Sequence, residues 1–297
     1  MVAEVEPVII ETLGGLGNQL FQYAFGRELA YSWGCDLLID PWHHNIPGAR
    51  PFELDHSAVN ATILRSLTAG EARPAVIGKG LALTRLLWRK IYTQPGDTRK
   101  KHFGFDPDLL AARNLHRLTG YFQSWRYFPN VADQLRRELM DPLATAPWVT
   151  ASDTDLREVN PWVAIHVRRG DYGTPRGLAR HGTLGLDYYE AAWEHVVEVI
   201  PGAVPVLFSD EPGPALQLLR SVVPDIIVIQ PPDGALSIDI MRLMSRADSV
   251  VTANSTFSWW GAWLGQKKGR LVVAPRRWFA EPTLDSTDVI PPEWRSI

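Results

Sequence analysis

A single cysteine, Cys35, stands in 297 residues. This excludes an intrachain disulfide framework and a thiolate metal cluster. Long apolar runs are missing too. Val8-Ile-Ile10 is far too short to cross a bilayer, and no other segment approaches the ~20 residues required. The start, Met1-Val-Ala-Glu-Val-Glu-Pro7, lacks the basic stretch and apolar core of a signal peptide. Nor is there a surplus of positive charge. Lys and Arg number 30 against 33 Asp and Glu, for a net charge of −3. Nucleic acid is therefore not the expected partner. No His and carboxylates recur at metal-ligand spacing, and the one adjacent pair, His43-His44, lies in a loop without supporting ligands. The expectation is a soluble cytoplasmic protein with no metal site and no bound cofactor.

What is present is mostly an α/β pattern. Apolar residues make up 45% of the chain, enough to give two domains a core each. Pro7 to Leu13 reads as a buried strand, followed by a glycine turn. Asn18 to Trp33 reads as a helix, with Leu20, Phe21, Ala24, Phe25 and Leu29 on one face. Asp36 to Asp40 is a second strand. A helix is expected over Leu81 to Tyr92, a strand over Leu115 to Thr119 and a helix over Pro129 to Met140. Asp141 to Pro161 has weak periodicity and reads as the boundary between a first domain, 1–150, and a second, 151–297.

The second half alternates more cleanly. Strands are expected at 162–167, 205–208, 225–229, 249–253 and 271–274. Helices are expected at 187–200, 214–220 and 237–246, with another starting near Thr256 or Phe257. Tyr188, Ala191, Ala192, His195, Val196 and Val199 form the expected inner side of the first of these helices. Alternating strands and helices imply parallel sheets, and such sheets bind ligands beyond the carboxyl ends of their strands.

Three polar motifs fall at such ends. Gly14-Gly-Leu-Gly-Asn-Gln19 joins a strand to a helix, where glycines allow close backbone approach and the helix N-terminus favours an anion. It matches a dinucleotide fingerprint only in part, because Leu20 stands where a third glycine belongs, although Asp40 is suitably placed for a ribose. In His166-Val-Arg-Arg-Gly-Asp171, His166 and Arg168 share one side of a strand that is apolar up to its exit. A planar, charged donor there suits a phosphate or carboxylate, with an internal ion pair from Arg169 to Asp171 or Asp210 as the plain alternative. Val251 to Gly265 runs from an apolar strand through Asn254, Ser255, Thr256 and Ser258 into three tryptophans. Its hydroxyls and amides at a helix mouth also suit an anion. Phe208-Ser-Asp-Glu211 offers two carboxylates, which could accept hydrogen bonds from guanine or cap a helix.

Two compositional features remain. The 12 tryptophans are many; most are expected in packing, with some available to stack on sugars. Between Arg65 and Lys101 stand nine Lys or Arg and two Asp or Glu, a local balance of +7. That stretch is either a solvated face or a surface for peripheral contact with anionic lipid at the inner membrane face.

Taken in order, the motifs resemble those of the bacterial α-1,2-fucosyltransferases, the galactoside 2-fucosyltransferase group. The resemblance runs from Gly14-Gly-Leu-Gly-Asn-Gln-Leu-Phe-Gln-Tyr-Ala24, through Gly120-Tyr-Phe-Gln-Ser124 and His166-Val-Arg-Arg-Gly-Asp-Tyr172, to Phe208-Ser-Asp-Glu211 and Asn254-Ser-Thr-Phe-Ser-Trp-Trp-Gly261. It implies two Rossmann-like domains facing across a cleft, the GT-B arrangement. The N-terminal domain would be on the acceptor side and the C-terminal domain would bind GDP-fucose. The implied reaction is metal-independent, inverting transfer of fucose to the 2-hydroxyl of a terminal galactose on an oligosaccharide or lipopolysaccharide.

The resemblance also implies roles. Arg168 would hold the β-phosphate and His166 would touch guanosine, with Arg169 beside them. Asp210 and Glu211 would face guanine, the latter replacing the second Asp usual in the group. Asn254, Ser255, Thr256, Phe257 and Ser258 would line the diphosphate and fucose. Gly15, Gly17, Asn18 and Gln19 would close over the donor from the other domain. Asp171 is the first choice for a general base, ahead of Asp187 and Glu211, with Gln123 and Asp187 on the acceptor side. Two other classes compete: a nucleotide- or NAD-dependent oxidoreductase, disfavoured by the missing third glycine and the Arg-rich second motif, and a non-catalytic glycan-binding protein, which would have no use for the His-Val-Arg-Arg motif.

Overall fold

The computed structural model describes residues 6–57, 59–64, 104–112, 117–170, 175–265, 267–284 and 286–297. The expected helix at 81–92 and the whole basic 65–101 stretch lie outside them, as does Asp171. The chain divides into two units, Met1–Leu139 and Met140–Ile297.

In the first unit, Val8–Glu11 forms β1 and Leu16–Trp33 forms α1. Leu20, Phe21, Ala24, Phe25 and Leu29 are all fully buried, as their spacing required. Each large apolar side chain so buried contributes about 1.5–3 kcal/mol. The helix ends at Gly34, whose φ of 68° is left-handed and whose N–H reaches back to Ala30 and Tyr31. Leu37–Asp40 follows as β2, Thr62–Ile63 as β3, Pro107–Ala111 as α2, Arg117–Thr119 as β4 and Ala132–Leu139 as α3. The sheet order is β3-β2-β1-β4, with every pair parallel.

In the second unit, Pro147–Arg157 is α4, Trp162–Val167 β5, Pro175–Arg180 α5, Leu186–Val199 α6 and Val204–Ser209 β6. Pro212–Leu219 is α7, Ile227–Val228 β7, Ser237–Ser245 α8, Ser249–Val251 β8 and Thr256–Leu264 α9. Val272–Ala274 is β9 and Arg295–Ser296 is β10. The order β10-β9-β8-β5-β6-β7 is parallel throughout and doubly wound. Both units are thus Rossmann-like.

Two sequence expectations change here. The stretch read as a boundary contains α4, which belongs to the second unit: Val149 and Leu156 are buried, and Ala146 N donates to Asp239 of α8. Its buried stripe includes Asp153, which interrupts the apolar pattern between Val149 and Leu156. In α6 the buried residues are Tyr189, Ala192, Trp193 and Val196, while Val199 is exposed. Trp193 and Tyr189 fill the core against β5 and β6, and that volume rotates the helix away from the face first read.

Candidate functional site

In the second unit the chain passes from β5 through β6 to β7 on one side, then returns to β8 on the other. The crevice between β5 and β8 is therefore the switch point at which doubly wound sheets hold ligands. His166 and Arg168 leave β5 there, and Thr252 to Ser258 leave β8. β5 is buried along its whole length, so its side chains beyond Val167 are the first that can meet a ligand.

Arg168 is the central group. Its NH1 lies 3.0 Å from Asp210 Oδ2, and the other carboxylate oxygen, Oδ1, accepts from the Arg169 backbone N–H at 3.0 Å. The register Val167↔Ser209 places these residues side by side just past the strand ends. Asp210 is therefore a support for Arg168. Each of its carboxylate oxygens keeps a second lone pair for a further donor, and the residue is itself exposed. Glu211, the exposed residue after it, keeps a carboxylate with no capping bond to α7. Both residues of the motif are exposed, with Asp210 also tied to Arg168 and to the Arg169 backbone.

His166 is buried, with its ring centroid 5.7 Å from that of Phe257. Burial first, and the Arg168 charge second, lower its pKa to about 3. Its imidazole is neutral at ordinary pH. Among the described residues Nδ1 has no hydrogen-bond partner, and it is buried, which is costly unless a ligand uses it.

The β8–α9 segment divides by burial. Ser255 caps α9 by accepting from Phe257 N at 3.3 Å. Ser258 Oγ is fully buried and bonds within the turn, to Ala253 and Ser255. Asn254 donates to the carbonyls of His181 at 2.9 Å and Trp278 at 3.3 Å. Asn254 and Ser258 thus shape the helix mouth from buried positions. Thr256 and Phe257, both half-buried, are the residues at that mouth. The tryptophans of α9 are core: Trp259 and Trp260 are fully buried, and Trp259 stacks on Trp263 at 6.0 Å. Asp187, expected near an acceptor, is an exposed residue in the first turn of α6, where its charge favours the helix dipole.

The first unit has its own switch point, between β1 and β4. Gly14 has φ 81°, and a Cβ there would meet Asn18 Nδ2 at 2.6 Å, so the turn requires glycine. Gly15 is the N-cap of α1, which has no side-chain cap and no acidic residue in its first turn. Gly17 is buried within the helix. Gln19 is fully buried; it donates to the Gly14 and Pro51 carbonyls and accepts from Glu53 N, so it clamps the loop. Gln22, which sequence reasoning missed, bonds Leu13 and the Gly120 carbonyl. Its position three residues after Gln19, on the same helix, was the available signal. Gln123 Nε2 donates to Asn18 Oδ1 at 2.8 Å, which ties the Gly120–Ser124 segment to the Gly14–Gln19 turn. Asp40, the suggested ribose contact, is engaged by Arg117 and by Trp42 N.

Two groups set an acid limit on stability. The folded pKa of His166, about 3, lies below its ordinary 6.5, so the unfolded chain binds the extra proton. That stability is complete above about pH 6.5 and declines as pH falls towards 3. For Glu11, burial raises the pKa, but hydrogen bonds from His43 and Thr119 and the charge of Arg117 outweigh it and hold the carboxyl at about 2. Its contribution declines below 4.5. The melting temperature should therefore fall steadily between about pH 6.5 and 4. A His166→Phe variant should lose the upper part of that slope; a flat wild-type profile would contradict the assignment.

An α/β fold with a neutral histidine, an oriented arginine and an open helix mouth at one switch point has the equipment of a nucleotide-sugar enzyme. The profile of Glycosyl transferase family 11 matches residues 108–297. An O-antigen biosynthesis glycosyltransferase of Escherichia coli, WbnK, is 40% identical over 90% of this chain and 93% of its own. An α-1,2-colitosyltransferase of Escherichia coli is 28% identical over 98% of both chains. A galactoside 2-α-L-fucosyltransferase of Caenorhabditis elegans is 24% identical over 66% of this chain and 57% of its own. The chain belongs to glycosyltransferase family 11. Among the described residues, no group of three His, Cys, Asp or Glu could hold a metal ion, and no helix is long and apolar enough to cross a membrane.

Proposed function

We propose that this protein transfers L-fucose from GDP-fucose to the 2-hydroxyl of a terminal galactose, on an O-antigen or related oligosaccharide, with inversion and without a metal ion or other cofactor. Cleavage of the glycosyl bond leaves negative charge on the β-phosphate of GDP. Arg168, held by Asp210, supplies one fixed positive donor, and the backbone N–H groups opening α9 supply others. His166 Nδ1 and the Glu211 carboxylate are available to the guanosine part. The acceptor hydroxyl attacks from the opposite face, giving an α linkage, with Asp171 as the base within the same motif. The observation that carries the reading is the position of Arg168 at the β5–β8 switch point.

A second reading has a colitosyl group in place of fucose, favoured by the similarity to the colitosyltransferase along 98% of both chains. GDP-fucose and GDP-colitose, offered in turn with a panel of β-galactosides in EDTA, separate the two. Fucosyl transfer undiminished by EDTA is expected. Transfer only of colitose would select the second reading; transfer abolished by EDTA and restored by a divalent cation would reject the metal-free mechanism. Peripheral membrane contact through residues 65–101 is a further part of the proposal, supported by their charge alone.

A further inference from the structure

The carboxyl end of the first unit's sheet carries a polar cluster that the donor reading leaves unused. Glu11, Asp40 and Thr119 are aligned in register across β1, β2 and β4, and Arg117 lies two residues before Thr119. They share the sheet face away from Ile10, which packs under Gly26 of α1. Glu11 accepts from Arg117 Nε at 2.5 Å and from Thr119 Oγ1 at 2.5 Å, and Arg117 also pairs with Asp40. His43 joins from the turn after β2, with Nε2 3.0 Å from Glu11 Oε2. Asp40 Oδ1 accepts from Trp42 N at 3.0 Å and so fixes the backbone at the turn. Trp42 is 44% exposed, with its ring edge-on to His43 at 4.8 Å.

This arrangement fixes a tautomer. Glu11 is ionised at every ordinary pH and can only accept. His43 Nε2 must therefore donate, and in the neutral ring Nδ1 carries the lone pair. The His43 side chain is one-quarter exposed. With the ring neutral, an oriented acceptor stands next to a large exposed indole, on the end of a parallel sheet where ligands are held. An apolar plate with one or two directed polar groups is the pattern of a carbohydrate subsite, in which hydroxyls need hydrogen bonds and the C–H face needs an apolar wall.

We infer that Trp42 and His43, braced by Glu11, Asp40 and Arg117, form a subsite for a neutral pyranoside of the acceptor. The sugar's apolar face lies on the indole and one of its hydroxyls donates to His43 Nδ1. This rests on the glycosyl-transfer reading above and adds which residues select the acceptor.

The test uses the full chain and two variants, Trp42→Ala and His43→Gln. In the second, the side-chain amide nitrogen reaches Glu11 as the imidazole Nε2 does, so the brace survives while Nδ1 is removed. Each variant should raise the KM for a β-galactoside acceptor about ten-fold, with kcat, GDP affinity and donor hydrolysis near wild type. Saturation-transfer NMR with methyl β-galactoside alone should give a signal with the wild type and none with Trp42→Ala. Wild-type acceptor KM in both variants, in an enzyme that transfers normally, would overturn the subsite and leave the proposed function standing. A saturation-transfer signal that Trp42→Ala abolishes, in a protein that transfers neither fucose nor colitose, would uphold the subsite and reject the function.

Discussion

Alanine in place of Arg168 should lower fucosyl turnover by about 10²–10³, the usual loss when one oriented donor to a developing anion is removed. The loss should lie in kcat and kcat/KM together, because the charge appears as the bond breaks. GDP should also bind more weakly, since the product carries the same diphosphate. Lysine should restore only part of the rate: an ammonium keeps the charge but not the planar fork that meets two oxygens. Arg168 is about one-fifth exposed and lies past the end of its strand, so the alanine variant should keep a near-native melting temperature. Initial rates of GDP release at saturating acceptor, with calorimetry of GDP binding, give the comparison. Turnover within a factor of a few of wild type would remove Arg168 from the mechanism.

Gly170→Ala should have the second largest effect, although the residue touches no ligand in the proposal. A methyl group there would stand 2.4 Å from Asp210 Oδ2, and the carboxylate would have to move. Moving it breaks both the Arg168 pair and the bond to the Arg169 backbone. Loss of these charge-assisted bonds frees Arg168 from its orientation, and a displaced group of this kind costs about 10- to 100-fold in rate. Asp210→Asn should fall between this variant and wild type, because an amide keeps one acceptor for the Arg169 N–H. Should Gly170→Ala retain full activity while Asp210→Asn is impaired, steric displacement is not the reason for the glycine.

The architecture was largely legible in the sequence, because both sheets are parallel and their strands are short apolar runs separated by periodic helices. β1, β2, β5, β6, β8 and α1 lie within a few residues of their expected positions. What escaped was decided by partners distant in sequence. β3 and β10, two residues each, exist only because a neighbouring strand offers a ladder. α4 has a buried stripe that Asp153 interrupts. The site shows the same division. The positions of Arg168, His166 and the β8–α9 turn followed from strand ends. Whether Asn254, Ser258 or Gln19 faces a ligand or a backbone carbonyl could not be read from residue type, since amides and hydroxyls suit both tasks. Gln22 and the Glu11–His43 pair were missed for the related reason that their partners come from other strands and turns.

The Arg168–Asp210 pair has a further consequence for discrimination. A bare guanidinium at the lip of a sheet would attract any polyanion in the cell, from inorganic phosphate to RNA. Here the cation arrives with its counter-ion attached, on a chain whose overall charge is −3. Long-range attraction is weak, and an anion gains only by supplying at close range what the carboxylate already gives. Under the proposed function, selection would therefore depend on the shape of the rest of the nucleotide, and a spent diphosphate would not be retained by charge alone.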